Sequence, residues 1–143
     1  MRTQRAPLRW AFVNNDPIVG PDLLHDYIDG WRRHDIPAVL STLADDCVVI
    51  ESYGPVYRGL ERVEQWMTSW FAAGGRVHDW RITSSGSTGD LIVAEWEFTC
   101  TWQHEVSSFP GMTVARPQGG RIAYLREYAT TAGLYDWTGI WRD

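Results

Sequence analysis

The stretch from Leu91 to Gln103 limits what this chain can fold into more than any other. It reads LIVAEWEFTCTWQ. Ile92, Ala94, Trp96, Phe98, Cys100 and Trp102 fall on one parity, while Glu95, Glu97, Thr99 and Thr101 fall on the other. Side chains on a strand alternate between two faces, so this is a long strand with one bulky aromatic face and one polar face. Such a strand needs sheet neighbours and a layer to cover its aromatic side. The polar face sends Glu95 and Glu97 to solvent or to an interface between subunits.

The neighbours are legible on both sides. Arg76 to Ser85 reads as a strand and SSGSTGD as a turn cluster. That cluster is Gly-rich, but it lacks the lysine and the following helix of a phosphate loop. A kink at Phe109-Pro110-Gly111 precedes a strand around Met112 to Arg116. PQGG is a hairpin turn, and Arg121 to Tyr128 is the last long strand.

The covering layer comes from upstream. Leu24, Tyr27, Ile28 and Trp31 fall at helical spacing after a start at Pro21-Asp22, with Gly30 allowing close approach of a neighbour. A reversal at HDIP leads to a second short helix, capped by Asp35, with Val39, Leu40 and Leu43 as its apolar positions. An acidic turn at Asp45 and Asp46 precedes the strand Cys47 to Ile50, which Glu51 closes. SYGPVYRG reads as a loop. Residues 60–73 read as a third helix, with Val63, Trp66, Met67, Trp70 and Phe71 on one face and Glu61, Arg62, Glu64 and Gln65 on the other. Helices first and a run of strands after them make an α+β domain, with helices on one face of a curved sheet.

Composition excludes several functions. The chain has 143 residues, 44% of them hydrophobic and 22% charged, which fits one folded domain. A net charge of −5 argues against nucleic acid as a partner. No apolar run is long enough to span a membrane, and the basic N-terminal decapeptide lacks a signal peptide's apolar stretch, so a cytoplasmic location is expected. Cys47 and Cys100 read as buried small hydrophobes. The four histidines show no close ligand spacing, and no metal site is expected. Residues 1–20 read as an extended arm, 21–130 as the domain, and 131–143 as an aromatic tail that docks on it, because exposing Leu134, Tyr135, Trp137, Ile140 and Trp141 together is unfavourable.

The runs WRRHDIPAVLSTLADDCVVIES, YRGLERVEQW and GGRIAYLREY, in that order and spacing, resemble the nuclear transport factor 2-like superfamily. Within it they resemble the SnoaL-like polyketide cyclases and ketosteroid isomerases. The resemblance covers about residues 22 to 130. It implies a cone, in which a strongly bent antiparallel sheet wraps three helices around a hydrophobic pocket, with homodimers through the sheet face. Alignment with the isomerases puts Tyr27 at their oxyanion tyrosine and Glu51 at their base. Their third, acidic element falls near Thr113, which cannot play that part. The histidine of SnoaL-type cyclases falls close to Trp102, with His104 two residues on. The carboxylate of limonene epoxide hydrolases falls on Glu127 in the run L-R-E-Y. No single family's catalytic set is complete.

Tyr27, Glu51 and Glu127 are therefore the candidate catalytic residues. Trp31, Trp66, Met67, Trp70, Trp96, Phe98, Trp102, Thr113 and Leu125 are the candidate pocket. A carboxylate in an apolar hollow has a raised pKa and can move a proton at a carbon beside a carbonyl, while a phenol opposite donates to the enolate oxygen. The expected function is cofactor-free acid/base chemistry of cyclase, isomerase or dehydratase type on a small hydrophobic oxygenated molecule. Epoxide hydrolysis and a non-catalytic binding or assembly module are the alternatives. Plainer readings stand beside each residue: Tyr27 as a core aromatic bonded to a carbonyl, Glu51 in solvent or paired with Arg58, and Glu127 in a surface ion pair.

Overall fold

A computed structural model describes residues 20–142, with side chains from Leu23 onward. The expected arm at 1–20 lies outside the described residues apart from Gly20. The elements run α1 (Gly20–Arg32), α2 (Ile36–Ser41), β1 (Leu43–Ile50), β2 (Val56–Arg58), α3 (Leu60–Ala72), β3 (Arg76–Thr88), β4 (Leu91–Trp102), β5 (Glu105–Gln118) and β6 (Arg121–Ala129). The strands form one curved, unclosed sheet in the order β2-β1-β6-β5-β4-β3. All neighbours are antiparallel except β1 and β6, which pair in parallel.

The helical layer follows from local chemistry. α1 buries Leu24, Tyr27, Ile28 and Trp31. It stops where His34 turns to φ 56°, and Asp35 N–H bonds back to the Gly30 carbonyl at 2.9 Å. Asp35 then caps α2 by accepting from the Ala38 N–H at 3.0 Å, one of the donors a helix start leaves free. A Cβ on Gly30 would stand 2.7 Å from Val39 Cγ2, so the glycine is what lets α1 and α2 touch. His34 ties this corner to the sheet. Its Nε2 accepts from Val77 N–H at 3.1 Å, and its ring lies against Phe71.

β4 keeps its expected parity: Ile92, Ala94, Trp96 and Cys100 are buried and Glu95 and Glu97 exposed. Arg81 on β3 donates to Glu97 across the outer face at 2.6 Å. Full burial of a large apolar side chain contributes about 1.5–3 kcal/mol, so the inner face of β4 is a large share of the core.

The structure departs from the sequence expectations at four places in the domain. The acidic turn at Asp45 and Asp46 is part of β1, where a register shift between Leu43 and Val48 accompanies two exposed side chains in a row. The loop SYGPVYRG contains β2, too short to show a period. β3 runs on through SSGST to Thr88, leaving Gly89-Asp90 as the turn. Phe109-Pro110-Gly111 does not break the strand: β5 is continuous through it and pairs there with β4. Proline lacks an N–H for the ladder, but the pairing to β6 ends at Gly111 with Ala129, and the Pro110 carbonyl accepts from Thr130 N–H at 3.0 Å.

Among the described residues, the tail beyond Ala129 has no helix or strand. Leu134, Trp137, Ile140 and Trp141 are exposed, and Trp137 and Trp141 pack on each other with ring centroids 5.0 Å apart. Burial against the domain, expected from the tail's apolar content, is not made by these four side chains.

A Cβ at Gly111 would collide with the Trp96 ring and the Tyr128 carbonyl. Gly111→Ala is expected to cost about 1–3 kcal/mol in urea denaturation, because neither ring nor backbone has room to give.

Candidate active site

Glu51 follows the last residue of β1. Its own N–H bonds to the Pro55 carbonyl at 3.0 Å, and its carbonyl accepts from Gly54 N–H at 3.1 Å. This tight turn sends the chain back as β2, where Tyr57 pairs with Val49. The Tyr57 ring stacks on Trp66 at 4.3 Å between centroids, and its hydroxyl donates to Glu51 Oε1 at 2.5 Å. The Tyr53 hydroxyl donates to the same oxygen at 3.0 Å. Arg58, the partner in one of the plainer readings, is not bonded to Glu51. Burial raises the Glu51 pKa, and the two phenols, by stabilising the charged form, hold back part of that rise.

Glu127 comes from the next strand. Ile50 pairs in parallel register with Arg126, so the next residue along each strand is a glutamate. Among the described residues Glu127 has no ion-pair partner. It lines the cavity beside Glu51, and its pKa is pushed up to about 8, first by burial and then by the negative charge of Glu51. Near neutral pH Glu127 therefore holds a proton while Glu51 is the better placed of the two to be ionised. Two carboxyl groups with environments that push them apart make an acid and a base.

The cavity they share has a volume of about 260 Å³. Trp31 from α1 and Trp66 and Trp70 from α3 form one wall, and Trp96, Phe98 and Trp102 from β4 form the other. These six were expected. Met67, Thr113 and Leu125 were expected too, but they are fully buried in the core and do not line the cavity. Thr113 Oγ1 accepts from Trp96 Nε1–H at 2.8 Å and so fixes that indole. His104 sits at φ 67° in the exposed β4–β5 turn and is not part of the cavity wall.

Tyr27 is fully buried and is not itself part of the cavity wall. Its pKa is raised well above the ordinary value, by burial first and then by Glu127, with a smaller push from Glu51. Tyr27 is therefore a neutral phenol close to both carboxyls. Among the described residues its hydroxyl has no hydrogen-bond partner.

Sequence reading missed Tyr53, Tyr57, Trp80 and Phe109. The first two hold Glu51; the last two line the cavity. Phe109 pairs with Phe98 across the β4–β5 ladder, so the register of that hairpin could have found it. Trp80 has the opposite parity to buried Val77, and a register shift between Val77 and Asp79, invisible in the sequence, puts both inside. Tyr57 could have been found only by recognising β2. Among the described residues, no lysine, arginine or histidine lines the cavity, and no group of three metal-ligating side chains comes together. No described helix is long and apolar enough to cross a membrane.

The family model described as a SnoaL-like domain matches residues 24–125. The chain belongs to the SnoaL-like domain family. A comparison with curated proteins finds no match. Among solved structures, the chain is similar to a protein of ketosteroid isomerase-like fold from Catenulispora acidiphila, in complex with trimethylamine. That pair has 18% identity and a TM-score of 0.68, covering 78% of this chain and 88% of the other. It is also similar to a putative polyketide cyclase from Xanthomonas campestris, at 19% identity and a TM-score of 0.63 over 75% and 87% of the two chains. A third is an epoxide hydrolase of M. tuberculosis, described as LEH-like, at 18% identity and a TM-score of 0.68 over 76% and 80%. At these identities the likeness establishes the nuclear transport factor 2-like cone as the fold of this SnoaL-like chain.

Because Glu127 is an acid whose pKa rises from 4.5 to about 8 on folding, the folded state keeps a proton that the unfolded state has already lost in that window. Its contribution to stability is full below about pH 4.5 and is lost as pH rises through about 8. Glu127→Gln is expected to remove this downward slope, read by thermal melts across pH. In Glu51→Gln, carboxyl NMR should find the Glu127 pKa lowered but still above the ordinary range, since the charge is removed and the burial remains.

Proposed function

We propose that this SnoaL-like protein is a cofactor-independent acid/base enzyme acting on a small hydrophobic oxygenated molecule by enolate chemistry, of the cyclase, isomerase or dehydratase type. One observation carries the reading: two carboxyl groups of unlike proton affinity share one aromatic cavity, with an unpartnered neutral phenol beside them.

Each group has a role. Glu51, held by two phenols that favour its charged form, takes the proton from a carbon next to a carbonyl. Negative charge then develops on the carbonyl oxygen, and the Tyr27 phenol, buried behind the cavity wall, supplies its dipole to that charge. Glu127, carrying its proton, returns one to carbon or to a leaving hydroxyl. The tryptophans exclude water, which strengthens each of these interactions. The putative polyketide cyclase among the similar structures agrees with this class.

Epoxide hydrolysis is a second reading, favoured by the position of Glu127 in the L-R-E-Y run and by the LEH-like neighbour. In it, Glu51 removes a proton from water while Glu127 protonates the epoxide oxygen. A pure binding module would need neither the pKa split nor the free phenol.

Two probes separate these readings. With 2-tetralone in deuterium oxide, the protein should speed deuterium entry at the carbon beside the carbonyl. Glu51→Gln and Tyr27→Phe should each reduce that rate about a hundredfold or more with circular dichroism unchanged. Oxygen-18 entering the diol from styrene oxide, with no carbon exchange, would instead establish the hydrolase reading. A binding module would do neither.

A further inference from the structure

Among the described residues, fifteen line the cavity; nine are aromatic, and six of those are tryptophan. Val77 is the one aliphatic side chain among them. Apolar burial by itself does not call for rings, since leucine and valine supply it as well. What a ring adds is a negative face, which attracts cations. These faces are not used up on one another. Trp31 meets Trp70 at 80° and Trp80 meets Trp96 at 79°, edge to face rather than stacked. Trp66 gives one face to Tyr57. Rings from the helices stand on one side of the cavity and rings from β4 on the other, so a group between them has aromatic wall on both sides.

The charges point the same way. The ionisable carboxyls of the lining are Glu51 and Glu127, and no basic side chain among the described residues offsets them. An anion would meet Glu51 unshielded. A buried cation needs a counter-charge, and Glu51 supplies one. Both phenols donate to its Oε1, which leaves Oε2 without a donor among the described residues. A primary ammonium also brings three N–H donors that need acceptors. An alkylated ammonium brings one or none, and its alkyl groups suit ring faces. At about 260 Å³ the cavity is small for a ligand site, so such a head would fill much of it.

We infer that the cavity takes a ligand with a tertiary or quaternary ammonium group, held between the two aromatic walls with Glu51 as its counter-ion. This names a ligand class for the proposed active site; it rests on the acid/base reading for any reaction, but not for binding. One consequence is a pH dependence. A cation in the cavity opposes the push that the charge of Glu51 gives to Glu127, and so lowers the Glu127 pKa from about 8. The ligand therefore binds more tightly as pH rises toward about 8 and levels off above it. The Tyr27, Tyr53 and Tyr57 phenols and the Cys100 thiol, in or beside the cavity, have pKa values raised by burial and stay neutral over that rise.

The test compares phenyltrimethylammonium with tert-butylbenzene, its neutral isostere, and with benzenesulfonate, by NMR titration of the full chain. Wild type should bind the cation about tenfold to thirtyfold more tightly than the isostere, and the sulfonate not at all. Glu51→Gln should cut cation affinity about tenfold and leave the isostere nearly unchanged. Protein whose tryptophans are replaced biosynthetically by 5-fluorotryptophan keeps every carboxyl and covers the case in which that variant fails to fold. Fluorine weakens the negative ring face, so cation affinity should fall about twofold to threefold and isostere affinity should hold. Between about pH 6 and 9 cation affinity should rise in wild type and stay flat in Glu127→Gln. Equal affinity for cation and isostere, a fluorine effect shared by both, or a flat wild-type pH profile would overturn the proposal. If deuterium enters 2-tetralone but the cation is not preferred, the enzyme reading stands and this one fails. If the cation is preferred without exchange, the ligand class stands and the enzyme reading fails.

Discussion

The parallel pairing of β1 with β6 is what the site depends on. The other strand contacts follow the chain's own hairpins or order, whereas this one joins the first strand to the last. Its register sets Ile50 against Arg126 and so brings two glutamates, seventy-six positions apart in sequence, to adjacent strand ends. A slip of one residue would turn one carboxyl to the outer face, since side chains alternate. The buried Val49–Leu125 pair one step earlier resists that slip, because a slipped strand would carry its buried side chain out of the core. The electrostatics of the cavity are thus fixed by apolar packing behind it.

The tryptophans divide by what their N–H groups do. Trp96 is locked by Thr113 and serves as framework. Trp70 and Trp102 lie nearly parallel, 11° apart, with Trp102 partly exposed at the rim. Trp31 and Trp80 have buried N–H groups with no acceptor among the described residues. An aromatic cavity lowers the local dielectric, which raises both carboxyl pKa values and makes every remaining dipole count for more. Walls and chemistry are the same side chains seen from two directions.

Much of this was readable in the sequence. The period of β4, the Tyr27–Trp31 spacing on α1 and the apolar face of α3 each have a strong local cause, so they survived folding unchanged. Glu51 and Glu127 were reached by resemblance, and their companionship could not have been, because parallel pairing between distant strands leaves no trace in periodicity. β2 went unread because three residues cannot show an alternation, and with it went Tyr57. Met67, Thr113 and Leu125 carry the right parity or helix face for the cavity. They ended in the core behind it because a periodicity tells which side a residue faces, not how deep it lies.

The turn after β1 places Glu51, Tyr53 and Tyr57 within seven consecutive residues, closed by two backbone hydrogen bonds of its own. The carboxylate and the hydroxyls that temper it therefore form a local cassette. Exchanging a tyrosine there retunes the strength of the base while the far wall, the donors on α1 and the sheet register stay as they were. Descendants of such a scaffold can drift toward new proton affinities through a handful of neighbouring codons, with no need to rebuild the cone.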